Sequence, residues 1–346
     1  MLLTLRDLQH RAARFAAVVI GVAVVFSLLF LMTGLTEQFH REPRQAVAGF
    51  GAEGWLLREG ASGAFTSAAT MPADTADLLG APGAAPVVLA RHSITEGSVQ
   101  TDVVVVGVHG DGLGAPELED GRLPNDPGEV VVDKVAGLAI GDEAVLGTDR
   151  FVVTGRTEKH TLFAGMPFVF MEIEAAQALV YRGQDLATAI LLDEMPVDVP
   201  DGFAVLSNDA VAEDAMRPLE KSVSSVNMIR ILLWFVAAMI IGTMTYLSSL
   251  ERRRDVAVLK AVGGSTSRLG ASIALQGAIT ALTAAALAAV LQSVLAPVFP
   301  LEVSVPSRAL LEVPVIAVLV ALVAGSVGLR KAVRVDPALA FAGPGS

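Results

Sequence analysis

Four uncharged apolar runs punctuate this chain: Phe15 to Leu35, Ile231 to Leu250, Leu269 to about Leu295, and Val313 to Leu329. A helix crossing the hydrocarbon core of a bilayer needs roughly 20 mainly apolar residues, so each run predicts a membrane span. With their flanks the spans are 15–37, 228–250, 268–296 and 313–330. The fourth is the shortest and starts beside Pro314, a tolerated first-turn position. Between the first two spans, residues 38–226 have a different rhythm. Short β-rich runs occur at 54–58, 86–94, 100–108, 129–133, 151–156, 168–173, 187–192 and 203–206. Helical patterns are fewer, at 72–79, 174–181 and 209–222, and residues 121–128 are dense in turn formers. The expected fold class is therefore a membrane protein with four transmembrane α-helices and one α+β extracytoplasmic domain between helices 1 and 2.

Charge orients this arrangement. Arg6, Arg11 and Arg14 precede the first span, Arg252, Arg253, Arg254, Lys260 and Arg268 separate the second and third, and Arg330, Lys331 and Arg334 follow the fourth. The positive-inside rule puts these groups in the cytoplasm, with both termini. Residues 1–14 then form an interfacial cytoplasmic helix carrying Leu2, Leu5 and Leu8 on one side, against membrane lipids. Residues 251–267 are a cytoplasmic helix and loop, 297–312 an outer loop and 331–346 a cytoplasmic tail. The net charge of −11 splits unevenly: residues 38–225 sum to −17 and the remainder to +6. Such a split suits a solvent-exposed domain joined to segments that touch an anionic membrane surface. The overall charge of −11 argues against nucleic acid, which needs a basic face. The first span is longer than a usual secretory h-region and no small-residue cleavage site follows it directly, Ala46-Val47-Ala48 lying too far downstream, so it is expected to stay as an anchor in the cell membrane.

Candidate chemistry is sparse. Intramembrane ionisable groups mark ion-coupled transport, and none of the four runs holds one. Residues 263–270 are glycine-rich but lack the lysine and preceding strand of a phosphate-binding loop. The chain has no cysteine and no G-x-S-x-G elbow. His10, His40, His92, His109 and His160 are dispersed, with no H-x-x-x-H pair for a metal. Neither a catalytic centre nor a metal site is expected. Glu37 and His40 form the one pair of interest. They lie three apart on a helix leaving the membrane, where an amphiphile would emerge, and haem iron accepts such ligands; an interfacial cap of polar groups is the plainer reading. Small residues recur every four positions at Gly277, Ala281, Ala285 and Ala289, and at Ala317, Ala321 and Gly325, which predicts close helix packing in lipid.

The second and third runs enclose Glu251-Arg252-Arg253-Arg254-Asp255-Val256-Ala257-Val258-Leu259-Lys260-Ala261-Val262-Gly263-Gly264-Ser265. As a helix it sets Val256, Leu259 and Val262 at three-residue spacing and stops at a Gly-Gly pair. Such a segment, tethered to the membrane at both ends, suits docking of a soluble partner. It resembles the E-R-x-x-E-I-A-x-L-K-A-x-G-A-S signature of the FtsX-like/MacB-like permeases of ABC transporters. Asp255 stands for the usual Glu and Gly264 for the usual Ala. Arg334-Val335-Asp336-Pro337-Ala338-Leu339-Ala340 resembles that family's R-x-D-P-x-x-A ending. Leu5-Arg6-Asp7-Leu8, Arg14-Phe15 and Thr33-Gly34-Leu35 are similar to the DevC and haem-efflux HrtB-type members. The resemblance implies a non-catalytic subunit of a homodimeric or paired permease, bound to separate ATPase subunits that hold ATP and Mg. It implies mechanotransmission, with haem or a lipid-like compound as the exported substrate. Glu251, Arg254, Asp255, Val256, Leu259, Lys260, Val262, Gly263 and Gly264 would then couple to the ATPase. The alternative within the family is an FtsX-like regulator whose ectodomain controls a cell-wall hydrolase.

Overall fold

Alternating β-branched residues between glycine-rich turns give the strands of the central domain, and long runs without glycine pairs or charges give the helices outside it. The structure is a computed structural model that describes residues 12–78, 83–96, 99–196, 198–251, 266–296 and 305–333. The chain divides into two units, 38–223 and the combination of 1–37 with 224–346.

The strands of the first unit are β1 (Gly54–Arg58), β2 (Met71–Pro72), β3 (Ala85–Glu96), β4 (Val99–Val108), β5 (Asp120–Gly121), β6 (Glu129–Asp133) and β7 (Glu143–Leu146). They continue with β8 (Asp149–Thr157), β9 (Thr161–Leu162), β10 (Met166–Glu172), β11 (Leu186–Ala187), β12 (Ala189–Leu192) and β13 (Phe203–Ser207). Helix α1 (Ala12–Ala48) ends in this unit, which also holds α2 (Thr75–Leu78), α3 (Ile173–Tyr181) and α4 (Asn208–Met216). The main sheet runs β13-β1-β12-β3-β4-β10-β6-β8-β5, and β7 pairs with both β3 and β8. That double pairing closes β3, β4, β10, β6, β8 and β7 into a ring, a small barrel without free edges along those strands. Two of its pairings, β4 with β10 and β6 with β8, are parallel.

Period-2 alternation sorts the side chains into two cores. Val103, Val105, Val130, Val132, Val169 and Leu146 belong to one cluster fed by all the ring strands, with Ile173 and Ala176 of α3 at its end. The intervening residues Val104, Val106, Val131, Phe168 and Phe170 join a second cluster with Trp55, Phe65, the end of α1 at Ala46 and Val47, and Phe50 just beyond it. Phe50 meets Trp55 edge-on at 5.0 Å between ring centroids, a favoured aromatic geometry.

The sequence expectations differ from the structure in three places here. The helix expected over 72–79 starts only at Thr75, because Met71–Pro72 pairs as a strand with Leu186–Ala187, and Leu79 lies outside the described residues. The helix expected over 209–222 breaks into α4 and a 3-10 turn at Arg217–Leu219. Pro218 has no N–H to continue the helical ladder. A new helix, α5 (Glu220–Glu251), starts directly afterwards. Short β2, β5, β7, β9 and β11 carry too little alternation to be read from sequence.

The second unit contains the rest of α1 with α5, α6 (Thr266–Leu295) and α7 (Ala309–Val333). Three helical stretches, 16–48, 208–244 and 275–295, are long and apolar enough to cross a membrane. The fourth expected span falls on α7, which carries the apolar stretch Ala309–Val323, so three of the four expected spans are shown among the described residues. Pro314 is its sixth residue rather than part of the first turn. Phe26, Ala237, Ala281, Ala284, Ala317 and Ala321 pack together. A Cβ on Gly277 would stand 3.2 Å from that of Ala321, so the small-residue rows of α6 and α7 meet as their spacing predicts. The side chain of Gly325 lies outside the described residues. Large side chains such as Ile231, Phe235, Met239 and Leu311 are more than half exposed, the outward face expected of helices solvated by lipid.

Candidate functional site

The last turns of α1 bring a carboxylate into the β-domain. Glu42 is 3% exposed. Its Oε2 accepts the Ala164 N–H at 3.0 Å and its Oε1 accepts the Gly165 N–H at 2.7 Å. Those two donors point the same way because Phe163, Ala164 and Gly165 all sit at positive φ, 55°, 70° and 90°. For Phe163 and Ala164 this left-handed conformation costs roughly 1–2 kcal/mol each. A concavity of successive backbone N–H groups is an anion site, and here the anion comes from the chain itself. The loop is a β-turn region clamped at its base, where Leu162 pairs with Met166.

A second contact ties α1 to the same region. A Cβ at Gly49 would stand 3.3 Å from His160 Nε2, so glycine lets the end of α1 approach the imidazole. His160 packs edge-on against Phe170 at 5.4 Å, and its Nδ1 lies 3.1 Å from the Glu158 carbonyl. Its backbone N–H donates to Asp133, which is fully buried and also accepts from Val135 N and Thr157 Oγ1. Burial pushes the Asp133 carboxyl above its usual value, against the pull of those hydrogen bonds. Burial pushes His160 below its usual value, with the Asp133 charge opposing. In both groups burial shifts the equilibrium toward the neutral form. The arrangement brings together one helix end, one strained loop and a buried polar cluster, a joint between α1 and the β-domain.

The residues singled out from sequence fall elsewhere. Glu251 is the last residue of α5. Arg254, Asp255, Val256, Leu259, Lys260, Val262, Gly263 and Gly264 lie outside the described residues. Glu37 is half-buried, and its carboxylate accepts a hydrogen bond from Arg308 Nη2. Arg308 thus engages one of the two carboxylate oxygens of Glu37. His40 is exposed, one turn further along α1. Arg308 was legible only as a lone base in the expected outer loop. His109, Glu172 and Glu174 converge closely enough to hold a cation, but all lie toward solvent, and exposed acidic groups gather without one. Sequence reasoning missed Glu42 altogether, since one glutamate in a helix gives no signal of burial.

Long apolar helices in one unit, with a β-rich domain between the first and second of them in sequence, define a membrane protein. Comparison with known proteins narrows this. Residues 15–220 match the MacB-like periplasmic core domain and residues 227–337 match the FtsX-like permease C-terminal domain. Two uncharacterized ABC transporter permeases of Mycobacterium tuberculosis are 37% and 38% identical over 344 residues, covering 98% of this chain and 99% of theirs. A Staphylococcus epidermidis chain assigned to a hemin transport system as the permease HrtB is 20% identical over 240 residues, covering 66% of this chain and 67% of that one. The periplasmic region of MacB from Actinobacillus actinomycetemcomitans aligns with a TM-score of 0.35 at 14% identity, over 48% of this chain and 95% of that one. The chain belongs to the FtsX-like/MacB-like family of ABC transporter permeases, a family that implies an ATPase partner.

Proposed function

We propose that this chain is the four-span permease subunit of an ABC exporter, working as a homodimer that couples ATP hydrolysis on a separate subunit to efflux of an amphiphile. The segment Glu251 to Ser265 docks the ATPase on the cytoplasmic side, with Val256, Leu259 and Val262 as its apolar contact. The observation that carries the reading is Glu42: helix α1 starts among apolar residues and ends with a carboxylate buried under a strained loop of the β-domain. A displacement of α1 must either move that loop or break two hydrogen bonds to a charged acceptor. Movement is the cheaper response, because such bonds are worth about 1.5–3 kcal/mol each. Work done at the cytoplasmic end thus reaches the outer domain without a central pore, in line with the absence of ionisable residues from the apolar runs.

The hemin assignment of the Staphylococcus relative supports an amphiphilic cargo. Proteoliposomes holding the permease and its ATPase, loaded with haem in the bilayer, test the reading. The expected result is ATP-dependent transfer of haem to an external acceptor protein, with a Soret shift on binding that weakens in the Glu37→Ala/His40→Ala double variant. Hydrolysis without any transfer, together with capture of a cell-wall hydrolase by the outer domain, would replace export with regulation. An unchanged Soret shift in the double variant would remove Glu37 and His40 from the site.

A further inference from the structure

In β3, the residues facing the aromatic core are Val87 and Leu89, and the next residue of the same row is Arg91. Arg91 stands opposite Val104 of β4. A charged side chain thus occupies a slot where alternation calls for an apolar one, and at that slot the core opens into a cavity of about 390 Å³. Its walls include Phe65, Leu89, Val104, Phe163 and Pro218. This volume falls in the range of about 300–1,000 Å³ typical of small-molecule sites.

The cation is held by an aromatic face and by no acid. The Arg91 guanidinium carbon lies 3.7 Å from the centre of the Phe163 ring. Arg122, Lys134, Arg150, Arg156 and Arg217 of the same domain each have a carboxylate partner. Arg91 has none among the described residues. Stacking uses the face of the guanidinium and leaves its in-plane N–H groups available for a bidentate oxyanion. The wall opposite is fixed as well. Asp214, 3% exposed, accepts from Thr66 Oγ1 at 2.6 Å and pairs with Arg217 at 3.3 Å. A Cβ at Gly63 would overlap its carboxylate, so the loop carrying Phe65 and Thr66 is seated against α4.

We infer that this cavity is a binding site for an amphiphile with one anionic head, a carboxylate or phosphate monoester, whose apolar body packs on Phe65, Leu89 and Phe163 while Arg91 takes the head. The net negative charge of the domain does not prevent this, because distant charges are screened beyond about 8 Å at physiological salt. Phe163 belongs to the loop that Glu42 holds, so an occupied cavity bears on the same joint. The inference goes beyond the export reading, since binding needs neither ATPase nor transport and is measured without them.

The chain has two tryptophans, and Trp55 lies 5.8 Å from Phe65 between ring centroids. The full-length chain carrying Trp234→Phe, in lipid nanodiscs, therefore reports on the cavity through Trp55 alone. Titration with decanoate is expected to change Trp55 emission saturably. Arg91→Gln should weaken that binding at least tenfold, and Arg91→Lys by less. Decanol should bind at least tenfold more weakly than decanoate. Decyl phosphate run beside decanoate tells which head is preferred, and tighter binding of either supports the site. Arg91 is exposed at the cavity mouth, and unchanged Trp55 emission before ligand is added certifies that the variants are folded. No saturable response to either anion, or equal affinities for decanoate in the wild type and Arg91→Gln, overturns the inference, as does decanol binding equal to decanoate.

Discussion

Replacing Glu42 by Ala removes the acceptor for two buried N–H groups and leaves the loop at 163–165 with its conformational cost uncompensated. The bonds to Ala164 and Gly165 measure 3.0 and 2.7 Å, at a side chain 3% exposed. Two hydrogen bonds to a charged acceptor are worth about 3–6 kcal/mol together. Part of this returns when Phe163 and Ala164 relax from φ of 55° and 70°, at roughly 1–2 kcal/mol each. A net local loss of about 1–2 kcal/mol follows from those two ranges, taken low end with low and high with high. At about 1.4 kcal/mol per factor of ten, amide exchange across 161–166 should accelerate roughly 5- to 30-fold. Glu42→Gln keeps the shape but offers one acceptor and turns an N–H₂ toward the other donor, so it should fall between wild type and Ala. Hydrogen exchange followed by mass spectrometry on the full-length protein in nanodiscs reads this directly, with β4 as the internal reference. Exchange at 161–166 within threefold of wild type in Glu42→Ala would refute the joint. Equal acceleration in β4 would mean that the whole domain had loosened instead.

Two further outcomes follow from particular contacts. His160 has a folded pKa below its unfolded value of 6.5. The stability it contributes is thus present above pH 6.5 and lost as pH falls through the folded value. Asp133 runs the other way: its contribution is present below pH 3.8 and lost as pH rises through its raised folded value. His160→Asn removes the first effect and keeps the second. Thermal unfolding between pH 7.5 and 5 should show a smaller loss on acidification in that variant than in wild type, and identical pH profiles would count against a buried neutral imidazole. In the helical unit, Ala281 is fully buried beside the α6–α7 contact. Ala281→Leu should destabilise the helices by about 1–3 kcal/mol through overpacking, visible as a lower aggregation temperature in detergent; an unchanged temperature would argue against close α6–α7 packing.

How far the sequence reaches depends on the range of the interaction. The β-rich runs were legible because Val103 to Val106, Val130 to Val132 and Phe168 to Met171 declare themselves in windows of a few residues. Ring closure was not. It depends on β7 pairing at Ile94↔Leu146 with β3 and at Leu146↔Asp149 with β8, and such register is decided by contacts far apart in the chain. Arg91 carried a signal in the Val87, Leu89, Arg91 row, yet only the cavity gives that row a meaning. Glu42 carried none: its partners are more than 120 residues away. The loop from Arg252 to Ser265 shows the reverse. Its spacing, charges and glycine stop speak for docking from sequence alone, and they lie outside the described residues.

On the proposed reading energy enters through that loop, so it offers the most direct test of the central claim. The permease, affinity-tagged and expressed with its ATPase, should co-purify with that subunit from detergent-solubilised membranes. Burying a charge at an apolar anchor of an interface typically costs 2 kcal/mol or more. Leu259→Asp should therefore abolish co-purification while membrane insertion and the amount of permease stay unchanged. An ATPase retained in full by Leu259→Asp would contradict the account.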